Sequence, residues 1–429
     1  MPSSMATPIL PLEIITDILS RLQSKTLIRF KSVSKQWYSL ISSPDFINLH
    51  LTQTLISQNL PNLIVSQVSL FSSPISDNQN HEFHFSELDH PLKPFCKYDL
   101  KSSPKIIGSI NGVLCISLYD DKSSVILYNP STKTHRLIPP FSNRNPHGND
   151  TADLVVFGFG FDSVSRDYKV VRMSQTCKNR VVVYREASVY SLRDDSWKCV
   201  SDQTTMGQFV LQNCKTVLVN ECLHFIVFDS NSNFKTKVTC FNLRTEIFSI
   251  FDLPKLPKFD GSFSGRSYVT KELGGCFCMS VNYEKPIPGM VADWELVRAD
   301  LWVMKEHGNE ESWFRRYSIC NPASFDVLTH LTPVLYSKDN EWVLLELDDS
   351  WFGWYSWTTK RFERVTVHGL PSNFTPCNTR TFLDSLVSLG KDKGKDKDKD
   401  KSKVKIEPKK NKNKTDRDDF LSSGFKLRL

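Results

Sequence analysis

The segment Val125-Ile-Leu-Tyr-Asn-Pro-Ser-Thr-Lys-Thr-His-Arg-Leu-Ile138 reads as an apolar strand, a hydrophilic turn and a second strand that holds an aromatic or histidine. The unit recurs as Val189-Tyr-Ser-Leu-Arg-Asp-Asp-Ser-Trp-Lys-Cys-Val200 and Val238-Thr-Cys-Phe-Asn-Leu-Arg-Thr-Glu-Ile-Phe-Ser-Ile250. It returns from Leu301-Trp-Val-Met to Ser312-Trp-Phe-Arg-Arg-Tyr317, and as Trp354-Tyr-Ser-Trp-Thr-Thr-Lys-Arg-Phe-Glu-Arg-Val365. The markers His135, Trp197, Phe248, Trp313 and Phe362 stand 62, 51, 65 and 49 residues apart. Strand pairs repeating every ~40–50 residues are the mark of β-propeller blades, and the wider gaps imply insertions. Other strand runs at 106–118, 155–173, 216–227, 268–281 and 334–347 supply an inner pair to each marker hairpin, giving five blades. Runs at 63–71, 82–88 and 381–389 remain to build a sixth from both chain ends, which closes the ring and protects its edges.

The chain start has a different period. Leu12, Ile15, Ile18, Leu19 and Leu22 fall at helical spacing. Pro11 suits the first turn, where its missing N–H is not needed. Ser24 is placed to cap a second helix with the apolar face Leu27, Phe30 and Val33, and Ser34 a third led by Trp37, Leu40 and Ile41. Three helices in about 40 residues bury too little surface to be secure alone, so the unit needs a partner or a neighbouring domain.

These residues resemble an F-box. The order Leu10-Pro11, Leu19-Ser20-Arg21-Leu22, Lys25-Thr26-Leu27-Ile28-Arg29-Phe30, Val33-Ser34-Lys35-Gln36-Trp37 and Leu40-Ile41-Ser42-Ser43-Pro44-Asp45-Phe46 follows that family's pattern, with Gln23 where many relatives have Pro. The later residues resemble the plant F-box-associated, kelch-like domain. The carriers are Asn111-Gly-Val-Leu-Cys115, Tyr128-Asn-Pro-Ser-Thr132, Phe157-Gly-Phe-Gly-Phe-Asp-Ser163, Tyr168-Lys-Val-Val-Arg172 and Val189-Tyr-Ser-Leu192. The double glycine of many kelch blades occurs only at Gly274-Gly275. The expected fold class is α+β and multidomain: a three-helix F-box at 8–50, an all-β propeller of six blades at 60–389, and a disordered lysine-rich tail at 390–429.

The resemblance implies docking on a Skp-type adaptor and, through it, a cullin ubiquitin ligase. It also implies a protein substrate, with immune receptors or self-incompatibility ribonucleases as examples, marked for proteasomal degradation. The apolar residues expected to bind the adaptor are Leu10, Pro11, Ile14, Leu19, Leu27, Ile28, Val33 and Trp37, some of which must instead hold the helices together. Substrate specificity is expected in the insertions 141–153, 255–267 and 283–299, with Phe141, Phe259, Phe263 and Trp294 as anchors, because loop aromatics are frequent binding anchors.

Composition narrows the classes. Forty per cent apolar content across 429 residues supports a sizeable core. Eleven scattered cysteines without Cys-x-x-Cys suggest neither a disulfide framework nor a zinc site and fit a reducing compartment, cytoplasm or nucleus. Glu13 and Asp17 interrupt the N-terminal apolar stretch, so it is not a secretory signal, and no apolar run is long enough for a membrane helix. Twelve lysines against five acidic residues at 391–415 account for the whole net charge of +7. The remaining chain is close to neutral and carries no global field to recruit nucleic acid. The tail has the composition of a disordered segment, and Lys409-Lys410-Asn-Lys412-Asn-Lys414 reads as an import signal or a solubilising arm.

No catalytic centre, cofactor or metal is expected. Gly158-x-Gly160 lacks the third glycine and the helix of a nucleotide loop and reads as close strand packing; His81-Glu-Phe-His84 lacks the i, i+4 histidines of a zinc helix; no Gly-x-Ser-x-Gly elbow occurs. The reading is a non-catalytic substrate receptor. Its rivals are a propeller enzyme with polar groups at the central channel and a scaffold whose F-box acts outside a ligase.

Overall fold

The computed structural model describes residues 10–390 apart from 58–59, 76–80, 96–102, 119–123, 142–153, 179–180, 201–208, 213–214, 233–234, 259–260, 262, 290–293, 321–327, 349–350 and 372–377. The lysine-rich tail lies outside the described residues.

Helix α1 (Leu12–Ser20) starts at Pro11, whose carbonyl accepts from the Ile14 and Ile15 amides. Helix α2 (Ser24–Phe30) has its cap one residue before the expected one: Gln23 is the N-cap, and Ser24 is buried inside the first turn. Helix α3 (Lys35–Ser42) is capped as expected, Ser34 Oγ accepting from the Trp37 amide at 3.1 Å. The three-helix expectation is corrected by a fourth helix, α4 (Pro44–Ile56), where Ser43 accepts from the Phe46 amide and Pro44 takes the first turn. Its pattern hid it because its apolar residues are shared between two cores. Phe46 points to the helices, while Ile47 and Leu51 also pack on the sheets.

Six antiparallel sheets of four or five strands follow among the described residues. Blade 1 runs outward through Pro104–Ile110, Val113–Leu118, Val125–Asn129 and Thr134–Ile138. Blade 2 uses Leu154–Asp162, Asp167–Lys178, Val181–Ser191 and Ser196–Val200. Blade 3 has a split inner strand, Phe209–Leu211 and Val217–Val219, then Cys222–Asp229, Lys235–Asn242 and Phe248–Asp252. Blade 4 is Gly265–Leu273, Cys276–Pro286, Trp294–Met304 and Trp313–Cys320. Blade 5 is Leu331–Tyr336, Trp342–Leu347, Trp351–Ser356 and Phe362–Arg364. The inner strand of blade 6, Asn378–Phe382, comes from the far end of the chain and pairs with Asn62–Ser66, followed by Leu70–Pro74 and Ser86–Glu87. The closing strand therefore lies earlier than the expected 381–389. Neighbouring inner strands touch around the whole cycle, so the ring is closed.

The repeat has a local physical basis. Each sequence marker lies on the outermost strand of its blade, and four face an aromatic seven residues back: Tyr128 opposite His135, Tyr190 opposite Trp197, Phe241 opposite Phe248, Tyr355 opposite Phe362. Between them the hydrophilic turn is capped by the last residue of the third strand. Asn129 Oδ1 accepts from the Ser131 amide at 2.9 Å, and Asn242 Oδ1 from the Arg244 and Thr245 amides at 2.9 Å. Ser191 and Ser356 do the same with hydroxyls. Such side chains reproduce a backbone turn locally.

The main core lies between blades. Val171, Met173 and Val189 of blade 2 pack on Leu223, Phe225, Val227 and Phe241 of blade 3, and comparable clusters join blades 4 and 5 and blades 5 and 6. Gly158 and Gly160 serve this packing. A Cβ on Gly158 would come within 2.8 Å of Leu223, and one on Gly160 within 2.5 Å of Leu243.

Candidate adaptor and substrate surfaces

Strands in a meander alternate in direction, so the turns between first and second strands and between third and fourth strands share one face of the ring. The helical unit sits on that face. Its chain enters the second strand of blade 6, while the partner first strand arrives from the C-terminus, so both ends emerge where a first turn would be.

Residues 383–389 then run on as a strap, not as the expected strand. Leu386 enters the helical core with Leu19, Leu27, Ile41 and Phe46, whereas Val387 and Leu389 enter the core of blades 1 and 2 beside Ile47 and Leu51 of α4. Asn129, fully buried in the Tyr128-Asn-Pro-Ser-Thr132 motif, donates to the carbonyls of Ser385 at 3.2 Å and Val387 at 2.8 Å. Ser131 Oγ donates to Asp384 at 2.8 Å. Gly112 closes the Asn111-Gly112 turn with φ +77°, and any Cβ there would strike Ser385. Helices and propeller thus share one packed interior.

The eight adaptor candidates divide by burial. Leu19 and Leu27 are 2% and 0% exposed and form the helical core. Ile28 and Trp37 are half-buried, Trp37 packing on Phe30 with ring centroids 5.3 Å apart. Leu10, Ile14 and Val33 are 55%, 47% and 61% exposed, and Pro11 is exposed as well. Leu10, Ile14 and Ile18 stand four residues apart and form a ridge, with Leu12 and Tyr38 also exposed. Ile18 was readable as apolar, but sequence reasoning left it out of the adaptor set, because periodicity does not separate an inner from an outer stripe. Apolar side chains concentrated in one small unit mark an interaction surface.

The other face carries the turns between second and third strands and the crossovers between blades. Trp294 and Trp351 each open a third strand there, in adjacent blades, and are 39% and 50% exposed. Trp294 leans on Gly265, where a Cβ would lie 3.0 Å from its ring; Arg364 stacks 3.7 Å over the ring of Trp351. The segment 283–299 is mainly paired strand, not the expected loop, because the second and third strands of blade 4 extend to Pro286 and from Trp294. Phe263 is buried against Tyr283 at 4.7 Å, with Arg266 over its ring, so its expected place on a recognition loop is corrected to a core position. Phe141 is half-buried, packed on Trp197 at 5.5 Å and covered by Arg172. Phe259 lies outside the described residues. Trp351 was missed because its strand has no long insertion; its signal was an aromatic directly after Asp348-Asp349-Ser350.

Apolar runs hid polar groups on the inner strands. Arg380 is half-buried, with its guanidinium shifted down to about 10 by desolvation, and it reaches from blade 6 to the Thr216 carbonyl of blade 3 at 3.4 Å. Lys271 Nζ donates to the Thr379 carbonyl at 3.4 Å, and Thr379 Oγ1 donates to Glu346. These side chains tie blade 6 to blades 3, 4 and 5 near the centre of the ring.

Comparison with known proteins places this architecture. The profile of the F-box domain matches residues 8–49, and that of the F-box associated beta propeller domain matches residues 54–386. The chain belongs to the F-box-associated β-propeller family. Among its relatives, the F-box protein CPR1 of Arabidopsis thaliana is 30% identical, over 99% of this chain and 100% of that protein. The F-box/kelch-repeat protein At3g23880 of Arabidopsis thaliana is 28% identical, over 88% and 95% of the two chains. Among solved structures, the six-bladed propeller lectin of Aleuria aurantia has a TM-score of 0.39 and 12% identity, covering 71% of this chain and 90% of that one. As an F-box protein with a propeller, the chain has the architecture of a substrate-recognition subunit of SCF-type ligases. No helix among the described residues is long and apolar enough to cross a membrane.

Proposed function

We propose that this chain recruits a protein substrate to a Skp-type adaptor and its cullin without catalysing the transfer itself. The exposed ridge of Leu10, Pro11, Ile14 and Ile18, with Val33, docks the adaptor, and the opposite face, with Trp294 and Trp351, takes the substrate. The observation that carries this reading is the placement of the two surfaces on opposite faces of one closed ring, joined by a strap packed into both cores. Rate then comes from effective concentration: a substrate held on a rigid ring presents its lysines to the ligase's charged enzyme. The family resemblance supports immune receptors and self-incompatibility ribonucleases as the substrates to test first, and a cytoplasmic or nuclear setting suits both ligase and cysteine content.

The test is affinity capture under proteasome inhibition, with wild type and the Trp294→Ala, Trp351→Ala variant compared by quantitative mass spectrometry. Central interface aromatics contribute ~2 kcal/mol or more, so the variant is expected to lose its substrate at least tenfold while recovering adaptor and cullin in full. Equal substrate recovery would remove this face from recognition.

A further inference from the structure

Between blades 3 and 4, towards the face that carries the helices, two thiols and two imidazoles converge from three distant parts of the chain. Cys222 opens the second strand of blade 3, His224 follows on the same side, and Cys240 stands directly opposite His224 on the third strand. His307 is supplied by the turn between Trp294–Met304 and Trp313–Cys320 of blade 4. The sulfurs of Cys222 and Cys240 and a ring nitrogen of His307 all lie within 4.8 Å of one another. His224 Nε2 lies 2.9 Å from His307 Nε2. Cys222, His224 and Cys240 are buried, and Val219, Val238, Phe251 and Phe277 wall the site.

The orientation of His224 is set from behind. Its Nδ1 lies 3.1 Å from the Val217 carbonyl, which can only accept, so Nδ1 carries the ring proton and Nε2 presents its lone pair to His307. His307 Nε2–H can then donate to it, and such an outer hydrogen-bond partner is the usual support of a metal-ligating imidazole. The remaining neighbours leave both sulfurs available: Ser249 Oγ lies 2.9 Å from Cys240 Sγ, and the Asn242 amide donates to Cys222 Sγ at 3.5 Å.

We propose that Cys222, Cys240 and His307 form a site for a zinc-class divalent ion that joins blade 3 to blade 4, with His224 as the hydrogen-bond partner of His307. Two thiolates and an imidazole are donors that zinc prefers. Bonds of ~2.3 Å to sulfur and ~2.0–2.1 Å to nitrogen set neighbouring ligands about 3.3–3.8 Å apart. The two sulfurs and the His307 nitrogen, all within 4.8 Å of one another, reach that spacing by a small contraction. His307 is able to adjust because it lies on a turn that continues into Gly308 at φ +80°. Binding releases the two thiol protons, and the buried apolar walls make the ion a bridge between the two blades.

The test is metal analysis of the full chain purified with reductant and without chelator, followed by cobalt titration of the stripped protein. The expected result is one zinc per chain. Cobalt should give a thiolate-to-metal charge-transfer band and tetrahedral visible bands, both lost in Cys222→Ser, Cys240→Ser. His307→Ala changes only a half-buried turn residue, so it is expected to fold and to bind cobalt at least tenfold more weakly. Reduced wild-type protein with neither zinc nor a cobalt band would overturn the proposal. So would cobalt bands that persist in the double-serine variant, which would mark binding elsewhere. A Cys222–Cys240 disulfide in the isolated protein, with no cobalt band after reduction, would replace the ion by a covalent bond.

Discussion

Asn129 shows how one residue ties a turn to a domain contact. Its oxygen caps the turn after Tyr128, and its amide nitrogen holds two carbonyls of the strap. The sequence marks it as a turn residue, and the cap was readable there; the strap was not, because its partners lie more than 250 residues away. The two roles separate by substitution. Asn129→Asp keeps the capping oxygen but removes both N–H donors, leaving the Ser385 and Val387 carbonyls facing a carboxylate. Asparagine to aspartate is therefore expected to destabilise as much as asparagine to alanine, on the order of 2–3 kcal/mol in denaturant unfolding, the cost of leaving buried carbonyls unpaired. An aspartate variant as stable as wild type would mean that capping alone explains the residue. The zinc-class site was unreadable for a related reason: Cys222, Cys240 and His307 have no motif spacing, and only the stacking of blade 3 on blade 4 brings them together.

Single elements bury neutral histidines, and this sets a pH response. His50 of α4 donates from Nε2 to the Leu22 carbonyl at 2.9 Å, and its buried Nδ1 has no hydrogen-bond partner. Burial lowers its pKa. His90, beside Ser69 at 3.2 Å, is pushed down to about 4 by burial and then by Lys93. Unfolded histidine titrates near 6.5, so in the window below that value the unfolded chain binds more protons than the folded one. The contribution is complete above pH ~6.5, declines as pH falls, and is exhausted below the folded values; for His90 the full effect is on the order of 3 kcal/mol. Melting temperature should therefore fall from pH 7 to pH 4.5, and fall less steeply in a His50→Gln, His90→Gln variant. Identical slopes for variant and wild type would assign the acid sensitivity to carboxylates instead. Elements with one buried side were readable from their period. Helix α4 was not, because its apolar residues divide between the helical core and blades 1 and 2.

At the scale of the molecule, both chain ends complete the same blade, and that closure fixes where the helices sit. The repeat unit, its outer-strand markers and a sixth blade made from both termini were readable, because each blade encodes its own turn and aromatic pair. The register of closure was not. Residues 378–382 pair with 62–66, while 383–389 serve as the strap, and alternation alone does not distinguish a strand from an extended segment buried on two sides. A chain ending at residue 375 loses both, exposing the edge of the Asn62–Ser66 strand and the helical core. It is expected to aggregate, whereas a chain ending at 390 keeps every described contact and should melt with the full-length protein. Equal melting of the two would argue against closure by the termini. The division of surfaces was only half readable: sequence named Trp294 but not Trp351, and offered the core residues Leu19 and Leu27 beside the exposed Leu10 and Ile14. The central claim is that the exposed helical ridge holds the adaptor, and the most direct measurement is titration of the full chain with a Skp-type adaptor. Wild type should bind one to one. Leu10→Asp, Ile14→Asp alters only exposed side chains and should leave the melting temperature unchanged. Burying one such side chain is worth ~1.5–3 kcal/mol, so this variant should bind at least a hundredfold more weakly. Undiminished affinity in the folded double variant would contradict the account.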